Sequence, residues 1–384
     1  MNLKHALGAL SATTLAVGFG TGALSLTAVA GASTPDAATT HTHAVFLETD
    51  GTTGNAVLSY ARSSDGTISL AGTFATGGLG GVASGATADP LASQGGLALV
   101  DGGKSLVAVN AGSDTVSVFA VQGTSLRLTQ TIASGGSFPV SVAADGTSVA
   151  VLNAGGAGSV ALFRLDGHQL KARASQTRSL QLTNTTPPDF LHGAGQIGFT
   201  PDGAHLVVTT KASSSSYEVF NVSSSGALSA SPVVTPSATP VPFAFSFDAA
   251  GHLVAAEAAT SKVSTYTVNA DGSLTNLGSV ADGATALCWI TEARGVFYGS
   301  NAGSGTVSSF TVNGSGAPIL DAATAATTHP GTTDSAATPN GKFLYVESGG
   351  SGAVDGFRVN ANGSLTPIET IWNLPVASEG IAVS

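Results

Sequence analysis

In this chain of 384 residues the side chains able to move protons or grip oxygen are few, and they recur at matching places. Glu257 stands in Ala255-Ala256-Glu257-Ala258-Ala259, an apolar surround in which a carboxyl group could serve as general acid or base. His192 closes the long loop LTNTTPPDFLHGAG (182–195), where an imidazole could share that task. Gln196, Lys211, Asn301 and Asn110 would hold oxygen atoms of a ligand through amide or ammonium hydrogen bonds. Asp334 and Glu379 fall on adjacent repeat units, so their carboxyls could share a cation or a proton. Two acids alone fall short of the several oxygens that Ca²⁺ or Mg²⁺ requires. His41 and His43 form a His-x-His in the leading tail, and two ligands on a flexible segment make no metal centre. No Gly-x-Ser-x-Gly elbow, His-Glu-x-x-His pair or phosphate loop is present, so neither a metal nor a cofactor is expected.

Each of these residues also has a plainer role open to it. Asn110, Asn153 and Asn301 suit turns, whose backbone they can satisfy. Glu257 could pair with Lys262 or Lys211, His192 could be solvated, and Cys288-Trp289 reads as a buried pair.

The elements that must position these groups are strands. Charged residues make up 9% of the chain against roughly 25% in soluble proteins, and with 50 glycines and few Lys, Glu or Met the good helix formers are missing. A net charge of −10 argues against nucleic acid as a partner. One cysteine excludes an intrachain disulfide framework.

A phrase of strand, polar break and strand ending in an aromatic recurs as LVAVNAGSDTVSVF (106–119), VAVLNAGGAGSVALF (149–163), LVVTTKASSSSYEVF (206–220), LVAAEAATSKVSTY (253–266), VFYGSNAGSGTVSSF (296–310) and LYVESGGSGAVDGF (344–357). AVFLETDGTTGNAVLSY (44–60) is a weaker seventh copy. The period of about 50 residues fits a four-stranded propeller blade. Asp-Gly and Asn-Gly pairs such as Asp145-Gly146, Asp202-Gly203 and Asn340-Gly341 mark the hairpins. The first copy lacks an inner strand, whereas EGIAV (379–383) is an inner strand with nothing after it. An all-β ring of seven antiparallel blades over 43–384 follows, with the tail completing the first blade and leaving no exposed edge there. In such a ring the starts of inner strands and the ends of second strands share one face. Gln94, His192, Gln196, Asp334 and Glu379 are then expected to converge there with Asp50, Asn110, Asn153, Lys211, Glu257, Asn301 and Glu347.

Residues 1–30 carry Lys4 and then an apolar run ending in Ala28-Val29-Ala30, the pattern of an export signal. Residues 31–42 read as a short disordered lead. The mature protein is expected to be secreted, free of membrane and monomeric.

With seven such units the chain resembles the lactonase-type seven-bladed propellers, which include bacterial 6-phosphogluconolactonase and fungal carboxymuconate cyclase, and LVAVNAGSDTVSVF is similar to Tyr-Val-Thr-Asn surface-layer propeller repeats. The resemblance implies opening or closing of a lactone ring by His, Glu and Arg side chains on the channel face, with a small lactone or sugar-like ligand. The motifs depart at three places. Gly-Pro-Arg-His becomes Ala194-Gly195-Gln196-Ile197, Asn-Glu becomes Thr210-Lys211, and Ser-Asn-Arg-Gly becomes Ser300-Asn301-Ala302-Gly303. On the resemblance, Glu257 or His192 would be acid and base, with Gln196, Lys211 and Asn301 on ligand oxygens. The alternative is a non-catalytic exported propeller that binds a ligand or a cell-envelope partner.

Overall fold

The computed structural model describes residues 43–384. The expected signal and lead, with His41, lie outside the described residues. Seven separate four-stranded antiparallel sheets form the blades. Blade 1 holds β1 (Ala44–Glu48), β2 (Ala56–Arg62) and β3 (Ile68–Ala75), and its innermost strand is β28 (Ile381–Val383). The inner strands of blades 2 to 7 are β4 (Leu97–Val100), β8 (Pro139–Asp145), β12 (Ile197–Phe199), β16 (Pro242–Phe247), β20 (Leu287–Ala293) and β24 (Thr332–Ala337). Two 3-10 turns, Ala111–Ser113 and Ala258–Thr260, interrupt the strands. Among the described residues no helix is long and apolar enough to cross a membrane.

The closure expected from the complementary ends is present. Val45 lies opposite Val383, Phe46 opposite Ala382 and Leu47 opposite Ile381. Backbone bonds from Glu48 to Gly380 and from Ser384 to Ala44, each 2.9 Å, extend that pairing at both ends. The Arg62 guanidinium adds a bond to the Ser384 carbonyl at 3.0 Å.

The recurring aromatics explain how the blades stack. Tyr60, Phe119, Phe163, Phe220, Tyr266, Phe310 and Phe357 are all buried, each opposite an apolar residue of its blade's second strand. In six of the seven blades the register with the outer strand shifts beside that aromatic. An extra residue at that point raises the local twist that a wedge-shaped blade needs. Gly203, in an Asp-Gly hairpin, has φ +68, where a side chain would be strained.

The run Gly77-Gly78-Leu79-Gly80-Gly81 reads from sequence as a linker, and the structure gives it a tighter role. A Cβ on Gly78 would lie 2.3 Å from the Asn110 side chain, and one on Gly80 would lie 2.1 Å from the Asp50 carbonyl. The chain crosses from blade 1 to blade 2 in close contact with both.

Candidate functional site

Several of the expected ligand-binding side chains are committed to the protein itself. Glu257, at the end of the second strand of blade 5, is fully buried and accepts five hydrogen bonds. Oε1 takes the Tyr217 hydroxyl at 3.1 Å and the Tyr266 hydroxyl, while Oε2 takes the Thr239 amide at 2.8 Å, the Thr239 hydroxyl at 2.6 Å and Ser264 at 2.7 Å. Gln196 clamps blade 4 to blade 5, donating to the Phe245 carbonyl at 3.1 Å and accepting its amide at 2.6 Å. Asn110 donates to Thr115 and Ser117 and accepts from Thr76 and Asn55. Asn301 makes the same two donations in blade 6, to Thr306 at 3.2 Å and Ser308 at 2.8 Å, but its buried Oδ1 has no partner.

The channel mouth is crossed by residues 82–96, which lead into β4. Gln94 reaches across the ring, with its amide exchanging two bonds of 3.0 Å with Ile290 of blade 6. Trp289, read as half of a buried pair, is buried and donates to the Ser93 carbonyl at 2.6 Å. The Gln94 amide meets the Gly195 carbonyl of blade 4 at 3.1 Å, and the Gly95 carbonyl meets Val142 of blade 3 at 2.9 Å. Lys211 is buried beneath this segment, donating to the carbonyls of Ala92 at 2.6 Å and Phe190 at 2.7 Å. Burial pulls its ammonium down to about 8, while the nearby Asp89 carboxylate works in the opposite direction.

Asp334 and Glu379 are indeed neighbours, and four further acids join them. Glu48, Asp50, Asp89, Asp334, Glu347 and Glu379 are all buried. Burial pushes Asp89 and Asp334 up to about 7, against backbone N–H bonds that favour the charged form. Glu48, Asp50, Glu347 and Glu379 are raised well above the ordinary carboxyl range, by burial first and then by the charges of neighbouring acids of the six, Asp89 and Asp334 among them. The Glu379 amide donates to Asp50 at 2.9 Å and the Gly380 amide to Glu347 at 3.1 Å, which ties the acids to the closing strand. Among the described residues no three His, Cys, Asp or Glu side chains are arranged to hold a metal ion directly.

His192 stands apart from this interior. It is half-exposed on the loop between blades 3 and 4, and its Nδ1 lies 2.9 Å from Asp189 Oδ1. Burial alone would raise the Asp189 pKa, yet the bonds from the His192 ring and the Leu191 amide outweigh it and hold the carboxyl below its usual range. Two other His–Asp pairs stand among the described residues, His252–Asp248 and His329–Asp355. His252 sits in a hairpin on the opposite face of the ring, and His329 pairs with a third-strand residue outside the channel. His192 is joined to the channel mouth through its loop, because the Phe190 carbonyl holds Lys211. The structure thus brings His192 and Lys211 to one neighbourhood and leaves Glu257 and Gln196 within the blade packing.

Asp189, Asp89 and Glu48 went unnoticed in the repeat pattern. Asp189 is three residues before His192, a spacing at which a loop can return the side chain to the ring. Asp89 precedes Pro90, a turn signal, and its carboxylate accepts the amides of Leu91, Ala92 and Ser93.

A family model described as lactonase, 7-bladed beta-propeller, matches residues 157–291 and 209–378. No curated protein matches the chain. Among solved structures, a candidate 6-phosphogluconolactonase of Bacteroides fragilis superposes with a TM-score of 0.65 at 18% identity, covering 91% of this chain and 100% of that one. A second candidate, from Bacteroides uniformis, gives 0.66 at 19%, covering 89% and 100%. The periplasmic gluconolactonase of Pseudomonas aeruginosa gives 0.65 at 15%, covering 89% and 98%. At these identities the superpositions speak for the fold, whereas the family match extends over more than half of the sequence: this chain belongs to the seven-bladed β-propeller lactonases.

Proposed function

We propose that this protein is an exported hydrolase of small, uncharged sugar-type lactones, with His192 as general base and Asp189 as its positioning partner. The observation that carries this is the 2.9 Å contact in which Asp189 Oδ1 accepts from His192 Nδ1 on an exposed loop at the channel mouth. That bond directs the proton-free Nε2 away from the carboxylate, as a base that activates water requires. Water attacks the lactone carbonyl carbon and gives its proton to Nε2. The ring C–O bond then breaks, and the departing alkoxide takes that proton back to give the hydroxy acid. Asp189 stabilises the imidazolium in between.

An uncharged substrate is favoured by electrostatics. The chain carries −10, and Lys211, the cation beneath the mouth, is already used by two carbonyls. A phosphorylated or carboxylated ring would find the Lys211 ammonium already engaged. The three solved relatives include candidate 6-phosphogluconolactonases and a gluconolactonase, and the second of these activities suits the present site better.

The test is a panel of neutral and phosphorylated sugar lactones on the purified protein with His192→Ala and Asp189→Asn. His192→Ala should lose about 10²-fold or more in kcat with an unchanged melting temperature. Equal turnover by His192→Ala overturns the site. No turnover of any lactone favours a second function, a non-catalytic exported propeller, which the segment 82–96 across the channel mouth supports.

A further inference from the structure

The six buried acids have a feature that lactone hydrolysis does not use. Five of their oxygens have no hydrogen-bond partner: Glu48 Oε2, Asp50 Oδ1, Glu347 Oε1 and both oxygens of Glu379. Glu379 is fully buried, and its Oε2 lies 3.2 Å from where a Cβ on Gly96 would stand, so it points at the start of β4. Glu48 and Asp50 come from blade 1, Glu347 and Asp334 from blade 7, and Asp89 from the segment crossing the mouth. Lys211 offers the group one positive charge and is already bound to two carbonyls. Like charges out of water with open lone pairs are costly unless something positive joins them.

From this cluster we infer that the junction of blades 1 and 7 binds a divalent cation of the Mg²⁺ or Ca²⁺ class, with Glu379, both of whose oxygens are unpartnered, as its direct ligand and Glu347 and Asp50 reaching it through its bound water. These are hard ions that take carboxylate oxygen. No three of the side chains are set to ligate a metal directly, so the ion keeps part of its water shell, as Mg²⁺ commonly does with one or two carboxylates. The site is independent of His192 and stands whether or not the protein turns over lactones. Its position gives it a role. Glu379 and Gly380 lead directly into β28, and their amides already rest on Asp50 and Glu347, so a cation there fastens the ring closure.

Protons compete for the same oxygens, which provides a signature that a surface ion effect lacks. Protein stripped with chelator is melted at about pH 5 and about pH 8, without added ion and with millimolar MgCl₂ or CaCl₂, beside Glu379→Gln, Glu347→Gln and the surface control Asp321→Asn. The melting temperature should rise by about 4 °C at pH 8 when ion exceeds its Kd a hundredfold, and by little at pH 5. Both cluster variants should lose the response and Asp321→Asn should keep it. Isothermal titration should show one site at pH 8, which either glutamine variant weakens at least tenfold. A melting temperature at pH 8 indifferent to both ions, or a response that survives in both glutamine variants, overturns the cation site and leaves protons as the neutralising species. Because none of these readouts is turnover, failure here and failure of the lactonase proposal are separate results.

Discussion

Replacing Glu257 separates a structural carboxylate from a catalytic one. Its two oxygens accept five donors from blades 4 and 5 and the chain between them. Burial, and then the Glu257 charge, holds the Tyr217 and Tyr266 phenols far above their ordinary pKa, so both remain donors. In Glu257→Ala these donors lose their acceptor inside the protein. An orphaned buried donor costs ~1–3 kcal/mol, and since hydroxyls can turn elsewhere a total of ~4–6 kcal/mol is expected. At ~2.1 cal/mol/K per residue, a propeller of ~340 residues has an unfolding entropy of ~0.7 kcal/mol/K, so the melting temperature should fall by ~6–8 °C. Glu257→Gln keeps one acceptor oxygen and should fall by ~2 °C. Scanning calorimetry on both variants, beside kcat on whichever lactone is turned over, decides the matter. A melting temperature within a degree of wild type, with turnover down more than about 10²-fold, would falsify the structural role and restore Glu257 as acid or base.

Three further outcomes are expected. In chelator the protein should be most stable in acid. The folded state keeps protons on Asp89 and Asp334 up to about 7, and burial raises Glu48, Asp50, Glu347 and Glu379 well above the ordinary carboxyl range, whereas the unfolded chain releases all of these protons above ~4. Stability contributed by these groups is therefore full below ~4 and declines as pH rises through 7, while Lys211, lowered to about 8, opposes the decline only above that value. Asp189 and Cys288 also stand near Lys211, and the Cys288 thiol, pushed up to about 12 mainly by burial, adds no charge in this range. Urea denaturation across pH checks this, and stability that climbs between pH 5 and 8 contradicts it. Removal of residues 379–384 uncovers the edge of β1 and strips the buried Ile381 and Val383, at ~1.5–3 kcal/mol for each side chain before backbone pairing is counted. Size-exclusion chromatography should then show association or loss of soluble protein, and an unaltered monomer with wild-type melting contradicts that outcome. Gly80→Ala places a Cβ 2.1 Å from the Asp50 carbonyl, which must displace backbone, so the melting temperature should drop by several degrees, whereas Gly102→Ala, with open space but a positive φ of +62, should cost less.

Blades, hairpins and ring closure were all legible in the sequence because each rests on a local signal repeated seven times. A one-residue strand shift would expose every apolar side chain, so alternation fixes register. The bulges beside Phe119 and Phe310 were not legible, since an extra residue in an outer strand looks like any other polar residue. Side-chain use was harder still. Topology correctly put Asp334 beside Glu379, yet Glu257 and Asn110 at matching strand ends turned inward to satisfy their own blades. Whether a strand-end polar group faces a ligand or the protein depends on which donors lie within hydrogen-bond reach, and for Glu257 these are Thr239 of the connection between blades 4 and 5 and Tyr217 of blade 4. Asp89 escaped notice because the crossing that carries it belongs to no repeat.

The pairing of β1 with β28 also bears on how the molecule is made. During synthesis the opening strand emerges some three hundred residues before its partner, so every intermediate length of chain presents an unpaired row of amides and carbonyls. A nascent propeller therefore stays adhesive until its last strand has left the ribosome. Once residues 381–383 arrive, the molecule loses its free end in a single event.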